Sequence, residues 1–121
     1  MLWFSDRNHL HLRKAFVGET VHIQCGDGNT LNNSVSWRYQ AQLGTEPRQI
    51  GSTANLTSDG FEGRLEVTKT LIISDLKAED NGIYTCVDDA GSVQYRVRLA
   101  VYGKSTELLK MWVYLLFNIH G

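Results

Sequence analysis

The chain has 121 residues, 42% of them apolar, and 12 lysines and arginines stand against 13 aspartates and glutamates for a net charge of −1. That length suits a single domain with a real core, and the near-neutral balance excludes a general attraction to nucleic acid. There are two cysteines and one proline, Pro47. No internal repeat, low-complexity tract or useful helical period occurs before residue 104.

Met1 to Lys14 holds no apolar stretch of the kind a secretory leader needs, so any leader is expected outside this sequence. His9 and His11 would share a face if their segment is a strand. A metal there would need a third ligand that the sequence does not supply, so solvated histidines on an edge strand are expected. Val21-His22-Ile23-Gln24-Cys25 alternates apolar with polar, the period of a strand with one buried face, and turns His22 outward. Val35-Ser36-Trp37-Arg38-Tyr39-Gln40 alternates likewise, with Val35, Trp37 and Tyr39 on one side. Ile83-Tyr84-Thr85-Cys86 puts Tyr84 and Cys86 on one side. Ala90-Gly91-Ser92 reads as a tight turn, and Val93, Tyr95, Val97, Leu99 and Val101 alternate along the strand that follows. The two cysteines form either one bridge with no spare thiol or two buried thiols. A bridge would close a loop of about 60 residues, worth roughly 4 kcal/mol by the chain-entropy argument, and would persist only in an oxidising compartment.

Taken together, Cys25, Trp37 and Asp80-Asn81-Gly82-Ile83-Tyr84-Thr85-Cys86 resemble the Cys…Trp…Asp-x-Gly-x-Tyr-x-Cys pattern of the immunoglobulin superfamily, over residues 10–103. The resemblance implies an all-β fold, a two-sheet antiparallel immunoglobulin-like sandwich with one inter-sheet disulfide, Cys25 to Cys86, and Trp37 beside it. Gly18-Glu19-Thr20-Val21 is similar to the lead-in to strand B, Gln40 to Ile50 to the C–C′ hairpin, and Leu71 to Leu76 to strand E, with Leu71, Ile73 and Leu76 facing in. Tyr84 stands where the family has its tyrosine corner, and Arg64 and Asp80 match a salt-bridging pair; the alternative for that pair is two solvated charges. The C–C′ hairpin is V-type, whereas the tight turn and long last strand are I-set features. Tyr102-Gly103-Lys104-Ser105-Thr106 is a loose echo of Phe-Gly-x-Gly-Thr, with Ser105 in place of the second glycine. Residues 1–9 are then an N-terminal extension, and 104–121 are a tail. Its apolar run Met111 to Phe117 is far short of the roughly 20 residues that span a bilayer, and reads as the opening of a truncated membrane segment, an extra strand or an oligomer contact.

Catalysis finds no support. Asp88 and Asp89 are neighbours, which a strand points to opposite faces, and the serines lack a nucleophile motif; no phosphate loop, metal set or cofactor site is legible. Recognition by surface remains. The resemblance implies a protein contact on the exposed face of strands G, F, C and C′, and alternation turns Arg38, Gln40, Arg96 and Arg98 outward there. Three arginines on one face can bind carboxylates or stack on aromatic rings, or they can simply solubilise the face, neutralised by Asp88, Asp89 or Glu46. Asn32-Asn33-Ser34 and Asn55-Leu56-Thr57 are sequons that make Asn32 and Asn55 candidate glycosylation sites. Two functions follow from the resemblance. One is an extracellular recognition domain, of the immune-receptor or adhesion kind at the cell surface or secreted, binding a protein partner or itself as a homodimer. The other is a structural spacer in a larger extracellular protein.

Overall fold

The computed structural model describes residues 9–26, 34–52, 61 and 63–103. Eight strands are present there: β1 (Leu10–Phe16), β2 (Val21–Gln24), β3 (Val35–Gln40), β4 (Arg48–Ser52), β5 (Leu65–Val67), β6 (Thr70–Ile73), β7 (Gly82–Asp88) and β8 (Val93–Tyr102). They form a five-stranded sheet in the order β1-β8-β7-β3-β4 and a three-stranded sheet in the order β2-β6-β5. A short 3-10 turn, Ala78–Asp80, leads into β7. All pairings are antiparallel except one, since β1 runs parallel to β8 from Leu10 beside Arg96 to Phe16 beside Tyr102. The sandwich is therefore antiparallel apart from that edge.

Alternation explains which side chains meet between the sheets. Val21 and Ile23 of β2, Leu71 and Ile73 of β6, Val35 and Trp37 of β3, and Val97 and Leu99 of β8 are all buried in one cluster with Leu76 and Tyr84. Cys25, just after β2, is bonded to Cys86 of β7 with their Cα atoms 5.9 Å apart, which ties the two sheets together. Trp37 is in register with Cys86, fully buried, and its indole Nε1–H donates to the Thr68 carbonyl at 3.3 Å. A second tie is backbone: Gly18 N–H donates to the Leu76 carbonyl at 2.8 Å, and Leu76 N–H to that of Glu19 at 3.0 Å. The Asn32 and Asn55 sequons and the 104–121 tail lie outside the described residues.

Gly82, which opens β7, is there because nothing larger fits. A Cβ at this position would meet the Tyr39 ring at 2.5 Å and the Gln40 carbonyl at 2.7 Å, and its φ of +154 is one that side chains rarely adopt. Gly82→Ala is expected to lower stability by about 2 kcal/mol or more, read from urea unfolding. An unchanged midpoint would show that the Tyr39 packing is dispensable.

Candidate protein-binding face

The corner that precedes β7 holds the scaffold under the face. Arg64 forks onto Asp80, Nη1 to Oδ2 at 2.7 Å and Nη2 to Oδ1 at 3.1 Å, with the two side chains 10% and 2% exposed. Nη1 also donates to the Ser74 and Asp75 carbonyls, and Asp80 accepts the Lys77 N–H at 2.9 Å. The hydrogen bond to Asp80 holds the guanidinium's pKa above its ordinary value. Such a buried pair costs several kcal/mol to break from one side. Tyr84 donates its hydroxyl to the Asp80 carbonyl at 2.7 Å, closing the corner from beneath. Burial, and then the charge of Asp80, push its pKa well up. Tyr39 adds a second phenol, which donates to the Asn81 carbonyl at 2.7 Å, while Asn81 itself exchanges side-chain hydrogen bonds with the Val101 backbone on β8.

Strand register assembles the outer face of the five-stranded sheet in rows. Arg38, Thr85 and Arg96 lie side by side across β3, β7 and β8, and Gln40, Ile83 and Arg98 form the next row. With strands about 4.8 Å apart, the Cα atoms of Arg38 and Arg96 are separated by about 10 Å, and Arg98 follows Arg96 by about 7 Å along the strand. Arg38 is exposed and the other two are half-exposed. Among the described residues none of the three guanidiniums is in an ion pair. Gln40 belongs to the same face, but its amide N–H group donates to the Gln42 and Thr45 carbonyls at 3.2 and 3.4 Å and so holds the β3–β4 turn.

Two of the acidic side chains that could neutralise the face, Asp88 and Asp89, are engaged elsewhere. Asp88 accepts from the N–H groups of Ala90 and Ser92 and from the Gln94 amide, shaping the β7–β8 turn. Asp89 accepts the Ser34 hydroxyl at 2.6 Å. Between the arginines lies Ile83, which faces away from the inter-sheet cluster yet is fully buried. The face also extends further than alternation in β3 and β8 discloses, because β1 pairs with β8 and places Leu12, Lys14 and Phe16 in the rows of Arg98, Ala100 and Tyr102. Leu12, Phe16 and Tyr102 are 60%, 40% and 48% exposed. The alternation of β1 itself carried that signal, but only its pairing partner shows which face it joins.

At the other edge of β1, the His9 and His11 rings meet edge-on at 4.6 Å, and His11 stacks on Tyr95 at 4.5 Å. Among the described residues no group of three or more potential ligands is placed to hold a metal. None of their helices is long and apolar enough to cross a membrane.

The immunoglobulin V-set domain matches residues 12–102, and the chain belongs to that family. V-set domains are non-enzymatic and bind proteins. The rabbit (Oryctolagus cuniculus) Ig kappa chain V region 3368 is 32% identical over 83 residues, covering 64% of this chain and 74% of its own length. Among solved structures, the second Ig domain of the mouse polymeric immunoglobulin receptor superposes with a TM-score of 0.64 at 19% identity, over 78% of this chain and 98% of that one. An extracellular fragment of novel immune-type receptor 11 from Ictalurus punctatus, including its stalk region, gives 0.61 at 22% identity, over 80% and 88%. At those identities the structural likeness is one of fold.

The corner makes a pH prediction. The folded chain keeps the Tyr84 proton where the unfolded chain, with a tyrosine pKa of about 10, loses it. Above that pH the folded state binds more protons, so stability falls as pH rises, by about 1.4 kcal/mol per unit from this group. Tyr84→Phe is expected to cost about 1 kcal/mol at neutral pH and to flatten that alkaline slope, as read from urea midpoints between neutrality and about pH 11. Equal slopes in the two proteins would contradict the assignment.

Proposed function

We propose that this V-set domain is an extracellular recognition module, of the immune-receptor or adhesion kind, that binds a protein partner through the outer face of β8, β7, β3 and β4. The observation that carries this is the set of three guanidiniums, Arg38, Arg96 and Arg98, without an ion pair among the described residues and gathered by register on one sheet face, while Asp88 and Asp89 are engaged by the β7–β8 turn and by Ser34. A guanidinium can take a carboxylate bidentately or lie on an aromatic ring, and arginine is enriched among the residues that dominate interface energies. The Cys25–Cys86 bond supports an extracellular setting, because such bonds persist in oxidising compartments. A spacer role would make no use of this face. Sugars at Asn32 and Asn55 would belong to the same setting.

The scaffold and the face are separable in this account. Changing Arg96 and Arg98 together to Glu is expected to reduce binding of the multimerised chain to partner-bearing cells by at least about tenfold. The melting temperature should stay within about 3 °C, since half-exposed side chains off the core contribute little to stability. Undiminished binding by a folded double variant would remove the sheet face from consideration and direct attention to the loops.

A further inference from the structure

The cationic rows do not end the outer face. One end of the β1–β8 pair carries Phe16 and Tyr102 side by side in register, both substantially exposed, with ring centroids 6.4 Å apart. Together with Lys14, Ala15, Glu19 and Gly103 they line an open, largely apolar cleft of about 620 Å³. The Glu19 carboxylate is turned to the backbone, where it accepts the Phe16 N–H at 2.6 Å. Lys14 makes no ion pair among the described residues. It stands between the cleft and the row that holds exposed Leu12 and Arg98. From Arg98 to Tyr102 the strand runs about 13 Å, so the cleft and the arginines lie within one ordinary protein contact.

We infer that this cleft is the anchor pocket of the face and takes one aromatic or aliphatic side chain from a protein partner whose flanking residues are acidic. The inference rests on the sheet-face reading above. The apolar anchor fills the space beside Phe16 and Tyr102, and the carboxylates meet Lys14 and Arg98. Charge selects the partner. A second copy docked by two-fold symmetry would set Lys14, Arg96 and Arg98 against their own equivalents, whereas an acidic segment complements them. A sulfated glycan would satisfy the cations and leave the apolar cleft without an occupant.

The test is an NMR titration of the full, oxidised chain with two peptides of roughly ten residues, long enough to span both rows at about 3.3 Å per residue. One alternates Glu and Leu around a single Phe, and the other replaces every Glu by Lys. The Glu peptide is expected to move the amide signals of Lys14, Phe16, Arg98 and Tyr102. Phe16→Ser and Tyr102→Ser, each retaining the dispersed spectrum of a folded domain, should each weaken it by about tenfold, while the Lys peptide leaves the spectrum unchanged. Equal binding of the Lys peptide, or undiminished affinity in both Ser variants, would overturn the inference. So would a heparin fragment that displaces the peptide and binds the Ser variants as it binds the wild type. Shifts at the cleft that grow with protein concentration alone would seat a second copy there and also overturn it. Adding Arg38→Glu with Arg96→Glu separates the two readings. If that pair abolishes binding and the Ser variants do not, the sheet face stands and the pocket fails; if the Ser variants abolish it and the arginine pair does not, the pocket stands without the wider face.

Discussion

The bond between Cys25 and Cys86 fixes how far apart the two sheets lie, and the rest of the structure is arranged around that distance. It brings β7 against the core, where Trp37 lies in register with Cys86 and shares one buried cluster with Leu71, Ile73 and Leu99. Once that side of β7 is committed, alternation sends Ile83, Thr85 and Val87 to the other side. All three are buried there too, so β7 is enclosed on both faces. Its neighbours β3 and β8 thus carry the outward arginines on a scaffold held by the inter-sheet core.

The corner before β7 does the same by electrostatics. Arg64 is held by Asp80 and two carbonyls through its Nη atoms, with its buried Nε left without a hydrogen-bond partner among the described residues, and Tyr84 is held by the Asp80 backbone, so both side chains are engaged within the domain. Among the described residues the guanidiniums of Arg38, Arg96 and Arg98 have no such engagement. The same residue type thus stands in two settings in one small domain: against a buried carboxylate in one case, on the outer side of a sheet in the other.

Much of this was legible in the chain. The period of two in Val21–Gln24, Val35–Gln40 and Val93–Val101 gave the strands and their inward faces, and the motif from Asp80 to Cys86 gave the corner and the bridge by resemblance. Alternation turned Arg38, Arg96 and Arg98 outward, and the strand order implied by the resemblance put them on one side. What alternation cannot give is which strand lies beside which. The parallel pairing of β1 with β8 is a non-local fact, and it alone brings Leu12, Lys14 and Phe16 onto the arginine face. Nor does residue type tell how a polar side chain is employed. Gln40 has the right parity for a contact but spends its amide on the adjacent turn, and Asp88 stands near the face but belongs to the β7–β8 turn.

Arg38, Arg96 and Arg98 have no ion-pair partner among the described residues, whereas the corner arginine, Arg64, is held by Asp80. Labelling the oxidised chain with an arginine-selective dicarbonyl, and reading each site by peptide mass spectrometry, tests that difference directly. The account predicts rapid modification of Arg38, Arg96 and Arg98, with Arg64 protected until the domain is unfolded. Protection of Arg96 and Arg98 to the same degree as Arg64 would contradict it, because those guanidiniums would then already have partners within the chain.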